Sequence, residues 1–224
     1  MVRRAPARLP GRTADRSGNC RHVAFNPTIA GTGVSSNGAI TNSSATVASY
    51  AGTVAMSAAS SIGTSGGNLT IGGVISGAYA ITINAGASQT GTVVFSNTNT
   101  YGTTTLANAT VIEGGMLSIS ADANLGAVSN AATAVALNGG TLQGTASFTL
   151  SATRGVTLGA GGGGLAATGS NTLTVAGVVA GSTALTINGA NQTGTVALSS
   201  ATNSYSGNTT ITAGTMQISG AGKL

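Results

Sequence analysis

The chain has 224 residues and a formal net charge of +5, and only 5% of its residues are charged. Aromatic residues make up 3%, and a single cysteine excludes an internal disulfide. With a mean hydropathy of +0.31, the composition is the opposite of the low hydrophobicity and high charge that keep a whole chain disordered. No apolar run reaches the ~18 residues of a transmembrane helix, so no membrane span is expected.

Residues 1–27 differ in composition from the rest and are predicted to form a disordered basic arm. They hold all three prolines and six of the eight basic residues, namely Arg3, Arg4, Arg8, Arg12, Arg16 and Arg21. Once Asp15 is subtracted, this arm carries the whole net charge, so the basic character belongs to a tail. A nucleic-acid-binding arm is the alternative, but we expect no nucleic-acid partner. No apolar stretch of ~7–15 residues follows the arginines, so a targeting signal is expected outside this chain.

The only cysteine and the only histidine, Cys20 and His22, lie close together in this arm. A structural zinc site needs four ligands, and no other ligand is near them in the sequence. We therefore predict no metal site and no cofactor. Both residues are interpreted as incidental members of the arm.

Residues 28–224 read as a repetitive β protein. Glycine is frequent and β-branched residues dominate the apolar runs, which disfavours helices. Apolar residues alternate with small polar ones, which predicts strands with one buried side. The predicted inward pairs are Ile81/Ile83, Val93/Phe95, Leu117/Ile119, Val135/Leu137, Phe148/Leu150, Val156/Leu158, Leu173/Val175, Leu185/Ile187 and Val196/Leu198. Asn or Gly follows most runs, as expected at sharp corners.

A degenerate repeat of about a hundred residues dominates this region. Residues 69–77 (LTIGGVISG) return as 173–181 (LTVAGVVAG), and residues 80–84 (AITIN) return as 184–188 (ALTIN). Short strands at this spacing suit a sandwich, a barrel or a solenoid. In a solenoid, equivalent positions of successive coils stack on one another, so each coil can use the same small aliphatic inward residues. We predict a parallel β-solenoid of roughly eight or nine coils, each of about 20–25 residues.

These residues carry a family resemblance. Residues 203–211 (NSYSGNTTI) and 213–218 (AGTMQI), with 137–143, 154–159 and 171–177, resemble the autotransporter-associated β-strand repeat of bacterial passenger domains. The resemblance covers roughly residues 68–224 and, more loosely, 28–67. It implies a right-handed parallel β-helix of a Gram-negative bacterium, secreted or displayed at the outer-membrane surface. It also implies a carboxy-terminal translocator barrel outside this chain. We expect residues 28–224 to be a segment of a longer repeat array.

Few residues of the body could support catalysis. Glycoside hydrolysis typically needs a pair of carboxyl groups, and the only acids after residue 27 are Glu113 and Asp122. They flank the strand predicted at residues 116–119 and are interpreted as solvated turn residues. The glycine run 161–164 is not followed by the Lys-Ser/Thr of a phosphate loop, so a flexible corner is expected. We predict that this chain is not an enzyme and has no catalytic residue.

Three functions follow from these features. The first is a structural or adhesive stalk that meets host or cell-surface glycans and proteins through the full-length protein. The second is a flat threonine-rich face, suggested by residues 103–105 and by Thr172 and Thr174, that binds ice or a glycan. It ranks lower because the threonine positions drift between the two copies. The third, a polysaccharide-active enzyme, is disfavoured by the scarcity of acids.

Overall fold

The computed structural model describes residues 12–14, 20–22, 25–127 and 133–218. Within the predicted arm, β1 (Arg12–Ala14) and β2 (Cys20–His22) pair antiparallel. Most of residues 1–24 lie outside the described part, so the predicted disorder of the arm stays a prediction. The arm's last residues contact the body, because the amide of Ala55 donates to the Pro27 carbonyl at 3.0 Å.

From Thr28 onward the chain winds around three parallel-stranded faces, here named face 1, face 2 and face 3 in the order in which each coil passes through them. One long strand continues from face 2 into face 3 and joins them in a ten-stranded sheet, while the last four strands of face 2 form a sheet of their own. Face 1 contains β5 (Ala48–Tyr50), β7 (Leu69–Ile71), β10 (Thr92–Phe95), β13 (Met116–Ile119), β15 (Thr141–Gly144), β18 (Gly163–Ala167), β21 (Leu185–Ile187) and β23 (Thr209–Ile211).

Face 2 contains β3 (Thr28–Gly31), the first part of β6 (Val54–Thr64), β8 (Ile75–Gly77), β11 (Thr100–Tyr101), β16 (Phe148–Leu150), β19 (Thr172–Val175), β22 (Thr195–Leu198) and β24 (Thr215–Ile218). Face 3 contains β4 (Ile40–Asn42), the last part of β6, β9 (Ile81–Ile83), β12 (Thr110–Ile112), β14 (Val135–Leu137), β17 (Val156–Leu158) and β20 (Val179–Gly181). Two short 3₁₀ turns, Val34–Ser36 and Asp122–Leu125, complete the described elements.

The register of face 1 defines the coil. Leu69 pairs with Val93, Val93 with Leu117, and successive partners along this face are 21 to 25 residues apart. The eight strands of face 1 give eight coils, spaced by the ~4.8 Å between neighbouring strands. The parallel solenoid, its coil length and its coil number are thus confirmed.

Small aliphatic side chains fill the interior up to β22, whereas Ile211 and Ile218 in the last two strands are exposed. One continuous cluster of buried residues runs from Ile29 to Leu198. Every predicted inward residue is buried except Phe148, which is half-buried. The aromatic rings of Phe95 and Tyr101 meet edge to face, with centroids 6.3 Å apart. The inward residues of each coil pack against those of the coils above and below it. The core therefore extends along the solenoid axis and does not surround one central point.

The two sequence copies do not lie on the same faces. Four coils after Leu69, face 1 holds Leu165, whereas the repeat partner of Leu69 is Leu173 in β19 on face 2. The repeat therefore spans four and one third coils, and the second copy is displaced by one face around the axis. Each face needs the same alternation of inward and outward residues, so one sequence pattern serves all three.

Candidate functional site

A groove lies at the corner where face 3 turns into face 1. It encloses about 400 Å³ and is formed by the turns that follow β9, β12 and β14. Its lining consists of Asn84, Ala85, Gly86, Ala87, Gln89, Thr90, Glu113, Gly114, Gly115, Asn138 and Gly139.

Asn84 fixes the inner wall of this groove. Its side-chain oxygen accepts from the amide of Thr64 at 2.9 Å, and its Nδ2 donates to the carbonyls of Gly91 at 2.9 Å and Gly114 at 3.1 Å. The residue is buried and its φ is +53°, a left-handed conformation that asparagine tolerates. One side chain thus joins three successive coils.

The repeat copy builds the same clamp with Asn188. The Asn188 side chain accepts from the amide of Ala167 at 2.8 Å and donates to the carbonyls of Gly194 at 2.9 Å and Ala213 at 3.2 Å. This corner lies between faces 1 and 2, one face away from the first. The sequence marked both asparagines as turn residues, but it did not show that they bridge coils.

Glu113 is the only acid on the groove. It follows β12 and is exposed, while its amide donates to the Ile83 carbonyl at 3.0 Å. In the second copy the equivalent position holds Thr212, so the charge belongs to the first copy alone. The prediction that Glu113 is a solvated turn residue agrees with this position. A single exposed carboxylate does not supply the two-carboxyl arrangement of glycoside hydrolysis.

Asp122 is not a solvated turn residue, and that interpretation was wrong. Its Oδ1 accepts from Nε of Arg154 at 2.9 Å and from the amide of Ser151 at 3.2 Å. The Arg154 side chain is fully buried, and its Nη1 and Nη2 donate to the carbonyls of Leu125 at 3.1 Å and Gly126 at 3.3 Å. A buried charge of this kind requires a partner, and sequence spacing did not indicate one 32 residues away.

The position of this ion pair explains its presence. On face 2 the 3₁₀ turn Asp122–Leu125 stands between β11 and β16, where the other described coils have a strand. Backbone groups there lack a regular ladder, and the Arg154 guanidinium binds the carbonyls that a neighbouring strand would otherwise bind. Arg154 and Asp122 are therefore structural, and the ion pair closes an irregular coil.

Tyr101 is the other buried ionisable group of note. Its hydroxyl lies 2.7 Å from the Thr110 hydroxyl, and its side chain is fully buried. Burial raises the pKa of this phenol above its ordinary value near 10, although the hydrogen bond with Thr110 and the nearby Arg154 charge act in the opposite direction.

We expect Tyr101 to make the protein sensitive to alkali. The unfolded chain loses the phenolic proton at a lower pH than the folded chain, so stability is fully present below about pH 10 and falls as pH rises further. In Tyr101→Phe, we expect a loss of about 1 kcal/mol at neutral pH and a weaker fall above pH 10. Urea unfolding between pH 8 and 11.5 measures both effects, with the exposed Tyr79→Phe as control. An unchanged alkaline slope in Tyr101→Phe would contradict the assignment.

The remaining sequence candidates do not form a site in the described part of the chain. No group of three or more His, Cys, Asp or Glu is placed to hold a metal ion among the described residues. Gly161 and Gly162 form the corner before β18, where the amide of Gly161 donates to Asn138 Oδ1 at 2.8 Å. Gly163 and Gly164 are the first residues of β18 and pair with β21, so the corner expected for the whole run covers only its first half. No helix within the described ranges is long and apolar enough to span a membrane.

The fold and the groove define a protein class, the parallel β-solenoid. Comparisons with protein-family models, with curated proteins and with solved structures give no significant match to this chain. Function is therefore inferred from the coils and their surfaces.

Proposed function

We propose that this chain is a structural and adhesive stalk segment of a surface-displayed or secreted bacterial passenger protein, without intrinsic catalysis. The observation that carries the proposal is the continuous core, which runs from Ile29 to Leu198 through successive parallel coils. Because each coil packs against the next, such a stack behaves as a rod, about 35 Å long between the first and last strands of face 1.

The corner clamps support the same proposal. Asn84 and Asn188 each tie three coils together, and Asn99 accepts from the amide of Ile75 at 2.8 Å as Asn203 does from that of Val179 at 2.9 Å. These repeated residues engage neighbouring coils, so the repeat maintains the rod. Attachment at the outer membrane, and glycan or protein partners reached through the full-length protein, belong to the same proposal.

Removing one whole coil should shorten the rod without unfolding it. Leu165 pairs with Ile187, so deletion of residues 165–186 joins two coils in register. With the chain displayed between a membrane anchor and a terminal fluorophore, we expect energy transfer to a membrane dye to report a height lowered by about 5 Å.

The matched control deletes residues 165–175, about half a coil. This deletion offsets every later face, so the remaining coils should misfold and lose protease resistance. Equal heights for the full chain and the whole-coil deletion would contradict the stalk. Release of soluble sugars from polysaccharide by the purified chain would contradict the absence of catalysis.

A further inference from the structure

The last four strands of face 2 carry an ordered set of hydroxyl groups. Phe148 pairs with Leu173, Leu173 with Val196, and Val196 with Met216. The outward neighbours of these inward residues stack in two columns. The first column holds Ser147, Thr172, Thr195 and Thr215, and the second holds Thr149, Thr174, Ala197 and Gln217. We call these eight positions the hydroxyl array.

The threonines of the array have hydroxyl groups available to a ligand. Thr149 and Thr215 are exposed, and Thr172, Thr174 and Thr195 are partly exposed. Within the described residues, none of these five hydroxyls forms a hydrogen bond with the protein. Ser147 differs, because its Oγ accepts from the amide of Thr172 at 3.0 Å. Rigid strands hold the threonines, so little side-chain entropy is lost when a ligand orders them.

The array carries no charge. Arg154 is the only charged residue between Asp122 and Lys223, and its side chain is buried. The first column consists entirely of Ser and Thr, whereas the second is interrupted by the buried Ala197 and by Gln217. The outward columns of the other faces are interrupted too, by Val94 and Met116 on face 1 and by Val111 on face 3. The partner of an uncharged, hydroxyl-rich surface is expected to be neutral and rich in hydrogen-bonding groups.

We propose that the hydroxyl array binds a neutral polysaccharide strand that lies along the rod axis. In the first column hydroxyls recur every ~4.8 Å from coil to coil, and the second column, ~6.6 Å away along the strands, adds the hydroxyls of Thr149 and Thr174. A polymer with repeating hydroxyl groups can meet several coils in one register, which adds weak hydrogen bonds together. Gln217 protrudes at the end of the second column. A flexible sugar chain can use its amide, whereas a flat ice plane would be held away by it.

The structure also explains why the threonine positions differ between the two sequence copies. The two copies are displaced by one face, so equivalent threonines of the copies lie on different faces. The array is formed instead by successive coils within residues 147–217. Its alignment depends on coil length, which varies by a few residues.

The test uses the whole chain and insoluble cellulose and chitin as probes. Thr172→Val, Thr174→Val and Thr195→Val together remove three hydroxyls and preserve β-branched shape. We expect this triple variant to bind at least one probe about 10-fold to 100-fold more weakly than the unaltered chain. The matched control carries Thr82→Val, Thr186→Val and Thr210→Val on faces 1 and 3, and should bind normally. Because no charges take part, binding should persist at high salt.

Three outcomes would overturn the proposal. They are no binding of the unaltered chain to either probe, equal binding by the two triple variants, and binding that disappears with salt. Adsorption to ice crystals without binding to either polysaccharide would also overturn it and would make the array an ice-binding face. Matching thermal unfolding of the two triple variants ensures that a loss of binding reflects the surface.

Discussion

Replacement of Arg154 by methionine is expected to lower the free energy of unfolding by about 3 kcal/mol, the lower end of the range for breaking a buried ion pair. The Asp122 side chain is 21% exposed, so water relieves part of the cost, whereas the carbonyls of Leu125 and Gly126 lose their charged donors. The urea midpoint should fall accordingly, while the unfolding slope should stay constant.

Two further variants separate charge from shape. Arg154→Lys keeps the charge but loses the planar fork that reaches both the carboxylate and the carbonyls, so an intermediate loss is expected. In a double-mutant cycle with Asp122→Asn, the two losses should overlap by more than about 1 kcal/mol, because both changes break the same pair. If Arg154→Met costs less than about 1 kcal/mol, the pair does not stabilise the irregular coil.

Substitution of Asn84 by alanine is expected to cost about 3 kcal/mol, because several buried backbone groups lose their partners. The amide of Thr64 and the carbonyls of Gly91 and Gly114 bind this one side chain. Alanine must also adopt a φ of +53°. This strain costs about 1–2 kcal/mol and is included in the expected loss of about 3 kcal/mol. Urea unfolding followed by circular dichroism measures the loss.

The chain offers its own comparison at the equivalent clamp. Asn188→Ala should have a similar effect, since its hydrogen bonds have the same pattern and lengths within 0.1 Å of those of Asn84. Asn84→Gly loses the same hydrogen bonds but accepts the positive φ, so it should cost less than alanine. If alanine and glycine are equally harmful, backbone strain does not contribute. If neither is harmful, Asn84 does not join the coils.

The groove at Glu113 shows which features of a site local sequence patterns can predict. Glycine and asparagine after each strand predicted corners there, and the corners were found at those residues. Which corners stack side by side depends on coil length, and Gln89 donates to the carbonyl of Asn37 from a much earlier part of the chain. Such contacts between distant segments leave no local pattern, so the groove could not be predicted.

The sequence by itself determined the strands, their inward residues, the parallel stack and the number of coils. It did so because alternation and repetition act within a few residues and recur in every coil. Tertiary structure alone decided the displacement of the second copy by one face, the pairing of Arg154 with Asp122 and the alignment of Thr172, Thr195 and Thr215. These features depend on the summed lengths of intervening turns, and a change of a few residues in one turn moves every later side chain around the axis.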